Sequence, residues 1–554
     1  MARTVLLRSI RRLASQYRAA AKTGLPAEAI QERQALAVET GQRAFTRRQF
    51  LAGTAAAAAG LALPRWSAAA APAQPRIAIV GAGIAGLNCA LALADKGLRS
   101  TVYEASPRIG GRMFSNHTGY WAEHQVSEWC GELIDTGHVT LRRLAARFGL
   151  PLDDLTASEP AGADETYYFD HSYYPRPQAV RAFAPAYHAA VADAKAAGYP
   201  TTCQVSTPAG LALDRMSVWD WIEKRVPGGH SSKLGQLLDV AYASEYGADT
   251  RVQSALNLVY MLSTSDQKFE IFGASDERYH VRGGNQQIPQ AIAEHLAGRG
   301  MAVRTNQRLA AIWKQSDGSY ALSLETGGAR REEIADLVVL TLPFAVLRTL
   351  DYARAGFDRL KDQAIQQLGR GHIAKLQWQF TRRLWHDRGT WGRSTGSTFS
   401  DAGYQNTWEV TRAQAGKSGI LSGYAGGSAA DHLRARVPFA SSGSAEVRQD
   451  ASRFLGQIDR VFPGLAPLWN GKASSSLPHL SPFFQCAYSY WRVGQYHTIA
   501  GSEGLRQGHV FFAGEHTSQD FPGFMEGAAA EGARAARQIL AQLGRGAHPV
   551  RPGR

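Results

Sequence analysis

The sequence predicts a mixed α/β fold in which a dinucleotide-binding sheet is assembled from separated stretches of chain, with a second domain of helices and sheet inserted between them. Three observations carry this. "RIAIV", "GAGIAG" and "LNCALALADKG" run strand, glycine turn and helix without a break, and "RSTVYE" adds a second strand. Far downstream, "ADLVVLTLP" and "GHVFFAGE" read as two more short strands of the buried type. Between these pieces the pattern turns helical and aromatic, as in "LDRMSVWDWIEKRV" and "SKLGQLLDVAYASEYG".

At 554 residues the chain is too long for one ordinary domain, and 44% hydrophobic residues are enough to build substantial cores. The formal charge of +14 invites a nucleic-acid reading, but residues 1–50 hold ten Lys or Arg against three Asp or Glu, half of that charge. The remainder is spread thinly, so no polyanion partner is expected. Arg47-Arg48 precede an Ala-rich, weakly apolar run and then small residues, the layout of a twin-arginine export signal with cleavage among Ala68–Ala71. The run is too short for a stable membrane span. Export by the twin-arginine machinery, to the periplasm or beyond, is the localisation expected. An Ala-rich linker behind a basic arm is the plainer alternative.

The predicted organisation follows from these boundaries. Residues 1–71 form the leader; 76–150, 276–345 and 481–545 form the nucleotide domain; 151–275, mainly helical, and 346–480 form the substrate domain. Gly81, Gly83 and Gly86 match the dinucleotide fingerprint, allowing a tight turn, close approach to a pyrophosphate and close helix–strand packing. Helix N-terminal amides at Ile84 and Ala85 then face the phosphates. Glu104, eighteen residues past Gly86, is placed to bond a ribose hydroxyl. Around Asp317-Gly318 two strands form a hairpin. "HIAKLQWQF" and "GILSGYAGG" read as strands of the second domain. After Pro522 a small-residue helix aims its N-terminus back at the ligand. The four cysteines, at 89, 130, 203 and 486, have neither CxxC nor metal-ligand spacing, so no zinc site or disulfide framework is indicated.

"AIVGAGIAGLNCALAL", "VYEASPRIGGRMFS" and "FFAGEHTSQDFPGFMEGAAAEGARAA" together resemble the flavin-containing amine oxidase superfamily, which holds monoamine, polyamine and L-amino-acid oxidases. The resemblance implies FAD as the cofactor, held in a Rossmann-like domain by Gly81, Gly83, Ile84, Ala85, Gly86, Glu104, Ala105, Gly111, Arg112, Val303, Gly514, Glu515, Gly523, Phe524 and Met525. It implies oxidation of a primary amine or diamine by hydride transfer to flavin N5, with O2 reduced to peroxide. An L-amino-acid oxidase, preferring basic substrates, is the alternative. A homodimer is compatible with this reading.

The same resemblance implies roles for individual side chains. Lys375 matches a strand lysine that holds a water against flavin N5, although alternation along "HIAKLQWQF" equally describes a solvated strand face. Phe524 and Tyr488 match the aromatic walls beside the substrate nitrogen, with Tyr490 and Trp491 as rivals for the second wall and Trp491 as a substrate contact. Cys486 falls where monoamine oxidases carry a flavin-linked cysteine, while "YSYWRVGQ" resembles the relatives that bind FAD without a covalent bond. Glu132 and Asp135 stand near where venom-type L-amino-acid oxidases place an arginine for the substrate carboxylate; facing the cavity they would favour a cation, and elsewhere they would satisfy backbone groups. Arg282 could supply a carboxylate clamp from another segment.

Overall fold

The computed structural model describes residues 74–265 and 269–544. The export signal expected in the leader lies outside the described residues. Residues Arg76–Gln542 form one compact unit, and all described elements belong to it.

Strands Thr101–Tyr103, Ile77–Val80, Leu337–Leu340 and Val510–Phe512 lie side by side in that order, all parallel. Their continuous apolar runs follow from burial on both faces. Ile79, Val338, Val339 and Phe511 are fully buried, each contributing about 1.5–3 kcal/mol of transfer free energy. The sheet thus joins a strand from each end of the described chain. The helix Met525–Gln542 packs along the helix Ile84–Ala94 that follows the glycine turn, and Asn88 Nδ2 donates to Ala529 O at 2.7 Å between them.

The expected Asp317-Gly318 hairpin joins strands Arg308–Lys314 and Tyr320–Thr326, and a third antiparallel strand, Ala329–Ala335, extends it. That strand was not anticipated: "ARREEIA" is charged because it is an exposed edge. Gly327 and Gly328 both have positive φ, 55° and 86°, which is the turn signal that marks it.

A second, eight-stranded sheet runs in the order Phe439–Ser441, Trp469–Ser476, Ile373–Phe380, Gly419–Gly426, Asn406–Glu409, Ser394–Ser400, Asp164–Phe169 and Ser172–Tyr173. Helices Arg176–Ala197, Lys233–Tyr246 and Ala255–Leu262 pack into a shared apolar core with Tyr167, Phe169 and Phe399 of the sheet. The run "LDRMSVWDWIEKRV" contributes to two helices, Pro208–Asp214 and Val218–Arg225, rather than one. Ser217 breaks it: its hydroxyl accepts from Asp220 N at 3.0 Å while the Asp220 carboxylate reaches back to Ser217, a capping box worth about 1 kcal/mol.

Candidate active site

The cofactor half begins at the glycine turn. Gly83 caps the Ile84–Ala94 helix with extended backbone, and no side chain satisfies the first-turn amides, which include Ile84 and Ala85. A methyl group built on Gly83 would meet nothing within 4 Å, so the amides face open space; one on Gly86 would sit 2.0 Å from Gly81 O, because the helix presses directly on the turn. Glu104 ends the second strand with its carboxylate against the same turn, accepting from Ala82 N at 2.8 Å and Ser106 N at 2.9 Å. Ala105 follows it, and Val303 comes alongside because Arg304 exchanges backbone hydrogen bonds with Val102 and Glu104. Gly111 lies under Gly83, with room of only 3.2 Å between its methyl position and Gly83 Cα.

Arg112 ties the late segments to this turn. Its Nη1 donates to Ala487 O at 2.6 Å and to Glu515 Oε1 at 3.0 Å. Burial works against a charge on Glu515, but Arg112, the Ser489 hydroxyl at 2.7 Å and Gly523 N at 3.0 Å hold its carboxyl below the usual range. Gly514, Glu515, Gly523 and Tyr488 are thereby brought together from segments with no local reason to meet. Phe524 follows Gly523, its ring 5.3 Å from that of His138, and Met525 opens the closing helix with its thioether against Gly131.

The substrate half is built on the strand Ile373–Phe380. Every residue of it is buried, so the solvated-face reading of Lys375 fails. Lys375 Nζ donates to Cys130 O at 2.9 Å and to Glu132 Oε2 at 3.0 Å. Trp408 Nε1 donates to the other oxygen of Glu132 at 2.8 Å, and its ring stands 5.1 Å from Tyr424. Tyr424 is the register partner of Lys375 on the neighbouring strand, and its hydroxyl lies 3.1 Å from that of Tyr488. Tyr488 also bonds Ser244 O at 3.2 Å and lies under Gly523. Lys375, Glu132, Trp408, Tyr424, Tyr488 and Gly523 therefore form one contiguous wall. Glu132 is not a free acid: it is the counter-ion of Lys375.

Asp135 faces His138, with Oδ2 3.3 Å from Nε2 and its own N–H donating to Nδ1 at 2.9 Å. Burial pushes Asp135 up to about 6 and His138 down to about 4. Trp491 and Tyr490 stand apart from the wall. The Trp491 indole donates to Glu503 at 2.9 Å within the nucleotide-domain core, and Tyr490 is buried on a two-residue strand against Gly369–Arg370. Arg282 is on the surface, paired with Asp153 at 2.8 Å, and supplies no clamp. Cys486 is a free thiol pushed up to about 11 by burial.

Two carboxyls missed in the sequence, those of Glu245 and Glu277, bear electrostatically on Tyr424 of this wall. The carboxyls of Glu245, near the end of Lys233–Tyr246, and of Glu277 have no hydrogen-bond or ion-pair partner among the described residues, although the Glu277 N–H donates to Asp135 Oδ1 at 2.9 Å. Burial first, then the charge of Asp135, raises Glu245 to about 7 and Glu277 to about 8. Glu245 also bears electrostatically on Tyr424 and Tyr488, which places it beside the aromatic wall. The cation that bears on Glu277, Arg412, is committed to Glu159 at 3.0 Å. The sequence signal was slight, a glutamate between Ser244 and Tyr246 at the end of a helix.

Residues 84–540 match the family described as "Flavin containing amine oxidoreductase". The chain belongs to that family. This amine oxidoreductase is 25% identical over 478 residues to a lysine-specific histone demethylase 1 homolog 1 of Arabidopsis thaliana, covering 84% of this chain but spanning only 52% of that relative's length. It is 21% identical over 518 residues to polyamine oxidase 1 of Zea mays, covering 88% and 95% of the two chains. Its fold superposes on cyclohexylamine oxidase from Brevibacterium oxydans IH-35A with a TM-score of 0.70 at 22% identity, covering 85% of this chain and 100% of that one. As a member of the family it is an FAD-dependent oxidoreductase. The residues fit that cofactor: the uncapped amides at Gly83 would hold a pyrophosphate, Glu104 would hold a ribose, and the Arg112–Glu515 pair would face the chain between them and the ring.

Proposed function

We propose that this protein is an amine oxidase that deaminates a small primary amine carrying a second positive charge, a diamine above all. The observation that carries this reading is the pairing of an aromatic wall with two unpaired carboxyls, Glu245 and Glu277, while the neighbouring cations Lys375 and Arg412 are already neutralised by Glu132 and Glu159. The chemistry a bound flavin supplies is acceptance of a hydride from the amine-bearing carbon, with O2 as terminal acceptor and peroxide as product.

The chain's own residues prepare the substrate for that step. Tyr488 and Phe524 flank the reacting nitrogen, tolerating its cationic form on entry and orienting its lone pair once it is neutral. Lys375 directs its three ammonium hydrogens at Glu132 and the carbonyls of Cys130 and Glu128, and a water facing the ring would take the place of the longest of these, the 3.3 Å bond to Glu128 O. Ionised Glu245 and Glu277 hold the distal ammonium, fixing which carbon is presented. Domain division as expected from the sequence, and export through the twin-arginine pathway, belong to the same proposal.

A second reading, an L-amino-acid oxidase for basic substrates, is supported by Arg412 at the edge of the carboxyl group, which would have to leave Glu159 to take a substrate carboxylate. Peroxide release from the flavin-loaded protein separates the two with matched pairs, cadaverine against L-lysine and tyramine against L-tyrosine. Turnover confined to the amines, with cadaverine favoured, is expected. Turnover of L-lysine in preference to cadaverine would overturn the proposal.

A further inference from the structure

Asp135 closes a tight turn. Its carbonyl accepts from His138 N at 3.0 Å, and its own N–H donates to His138 Nδ1 at 2.9 Å, so the neutral ring carries its proton on Nε2. Asp135 Oδ2 stands 3.3 Å from that nitrogen, which has no hydrogen-bond partner of its own, so the contact is electrostatic. The other carboxylate oxygen, Oδ1, accepts from Glu277 N at 2.9 Å. With both oxygens facing protein and only 7% of the residue exposed, Asp135 has little left for a substrate.

The two contacts lead to opposite ends of the site. The buried His138 ring meets those of Phe521 and Phe524 edge-on, with centroids 5.4 and 5.3 Å away. Two residues past Phe524, Glu526 accepts from Thr140 N and Leu141 N at 2.8 and 2.9 Å, which ties the start of the closing helix to the turn. Phe524 thus rests on His138. On the other side Glu277 has a φ of 43°, the left-handed region that a glutamate rarely adopts. Its N–H bond to Asp135 holds that conformation and so directs its unpaired carboxyl. The rest of the loop is anchored without Asp135: Thr136 N donates to Asp276 Oδ1 at 2.8 Å, and Ile134 and Tyr279 exchange backbone bonds at 2.8 Å.

Charge follows the same path. Asp135 is faced by His138, Glu245, Asp276 and Glu277; His138 also by Glu526 and Asp276; Glu277 also by Glu245 and Glu165, with Arg412 as the opposing cation. After burial, Asp135 is the strongest influence on both Glu245 and Glu277.

We propose that Asp135 is a positioning residue that couples the Phe524 ring, through His138, to the Glu277 carboxyl, through the Glu277 backbone, and that it does not itself meet the amine. One side chain then sets both the alignment of the reacting nitrogen and the selection of the distal charge. The Glu277 arm rests on the reading of Glu277 as an ammonium-binding carboxyl.

The test measures kcat and KM for cadaverine and tyramine as a function of pH with FAD-saturated protein. Asp135→Ala should lower the preference for cadaverine in kcat/KM about tenfold, but less than about twofold in a Glu277→Gln background. Asp135→Asn keeps an oxygen for the Glu277 N–H and should retain most of the preference. Its cadaverine KM should fall at lower pH, because a negative neighbour of Glu277 is gone. His138→Leu should lower kcat for both amines alike and leave the preference in place. Equal loss of preference in Asp135→Asn and Asp135→Ala would mark a direct charge contact with the substrate, and a loss that persists beside Glu277→Gln would mark an independent route. Either result overturns the proposal, as does an unchanged kcat in His138→Leu. If Glu277→Gln alone leaves the preference intact, the ammonium reading of Glu277 is what fails. The coupling is then read from Tm of the amine-free holoenzyme, whose fall with rising pH must end at a lower pH in Asp135→Asn; an unchanged curve overturns the coupling.

Discussion

Removing the Lys375 ammonium while keeping its length, as in Lys375→Met, leaves Glu132 buried with Trp408 as its only side-chain donor. Lys375 and Glu132 are 4% and 8% exposed and 3.0 Å apart. Breaking one side of such a pair costs about 3–5 kcal/mol because the remaining charge is uncompensated. Across Arg76–Gln542 an unfolding entropy of about 2.1 cal/mol/K per residue amounts to about 1 kcal/mol/K, so Tm of the holoenzyme should fall by about 3–5 °C. Glu132→Gln alone should also destabilise, because the ammonium then lacks its carboxylate. The double variant Lys375→Met/Glu132→Gln should recover more than half of the summed loss, since the amide still accepts from Trp408 and no lone charge remains. Scanning calorimetry of the four proteins measures the coupling directly. Strictly additive losses would refute the pairing, and with it the inference that Glu132 is unavailable to a substrate.

The remaining predictions concern the cofactor and the cavity. Gly86→Ala puts a methyl 2.0 Å from Gly81 O, an overpacking of about 1–3 kcal/mol or more, and the purified protein should lack flavin absorbance bands; normal flavin content would show that the turn is looser than described. Glu245 and Glu277 are raised to about 7 and about 8, so each favours the folded state only while protonated, and that contribution is lost as pH rises through those values. Unliganded protein should therefore lose Tm between about pH 4.5 and about pH 8, Glu245→Gln should flatten the loss, and KM for a diamine should fall more than KM for a monoamine as the two carboxyls ionise between about pH 6 and about pH 9. Glu245→Gln should raise KM for cadaverine about tenfold, with tyramine little changed; parallel changes would indicate a general distortion instead. Tyr488→Phe keeps the ring and loses two hydroxyl contacts, so kcat/KM should drop less than about tenfold, whereas Tyr488→Ala should cost more.

The parallel sheet and the hairpin were legible because their signals are local: a glycine turn, an acid after the next strand, and Asp317-Gly318 each report on neighbours in the chain. The lysine strand was misread in one respect for a physical reason. Alternating polar residues usually mean a wet face, but Lys375, Gln377 and Gln379 find their partners in residues 122–132, which lie across the sheet and far away in sequence. Glu132 and Asp135 were singled out as acids that could meet a cationic substrate, yet only the fold shows that one is an ion-pair partner and the other sits against a histidine. Glu245 and Glu277 meet through packing alone, and no spacing rule could have joined them. Trp491 was drawn toward the cavity by its neighbours in "YSYW", whereas its indole answers to Glu503.

The sheet order has a consequence for biosynthesis. Val510–Phe512 is an edge strand beside Leu337–Leu340, and the Met525–Gln542 helix lies on the one that begins at Ile84. During synthesis the glycine turn therefore emerges long before its covering layer exists, by on the order of tens of seconds at 5–20 residues per second. Until then the Ile84–Ala94 helix exposes an apolar flank and Arg112 lacks Glu515. FAD capture is in this sense a post-translational act, and the nascent chain needs shelter for that flank through nearly the whole of its elongation.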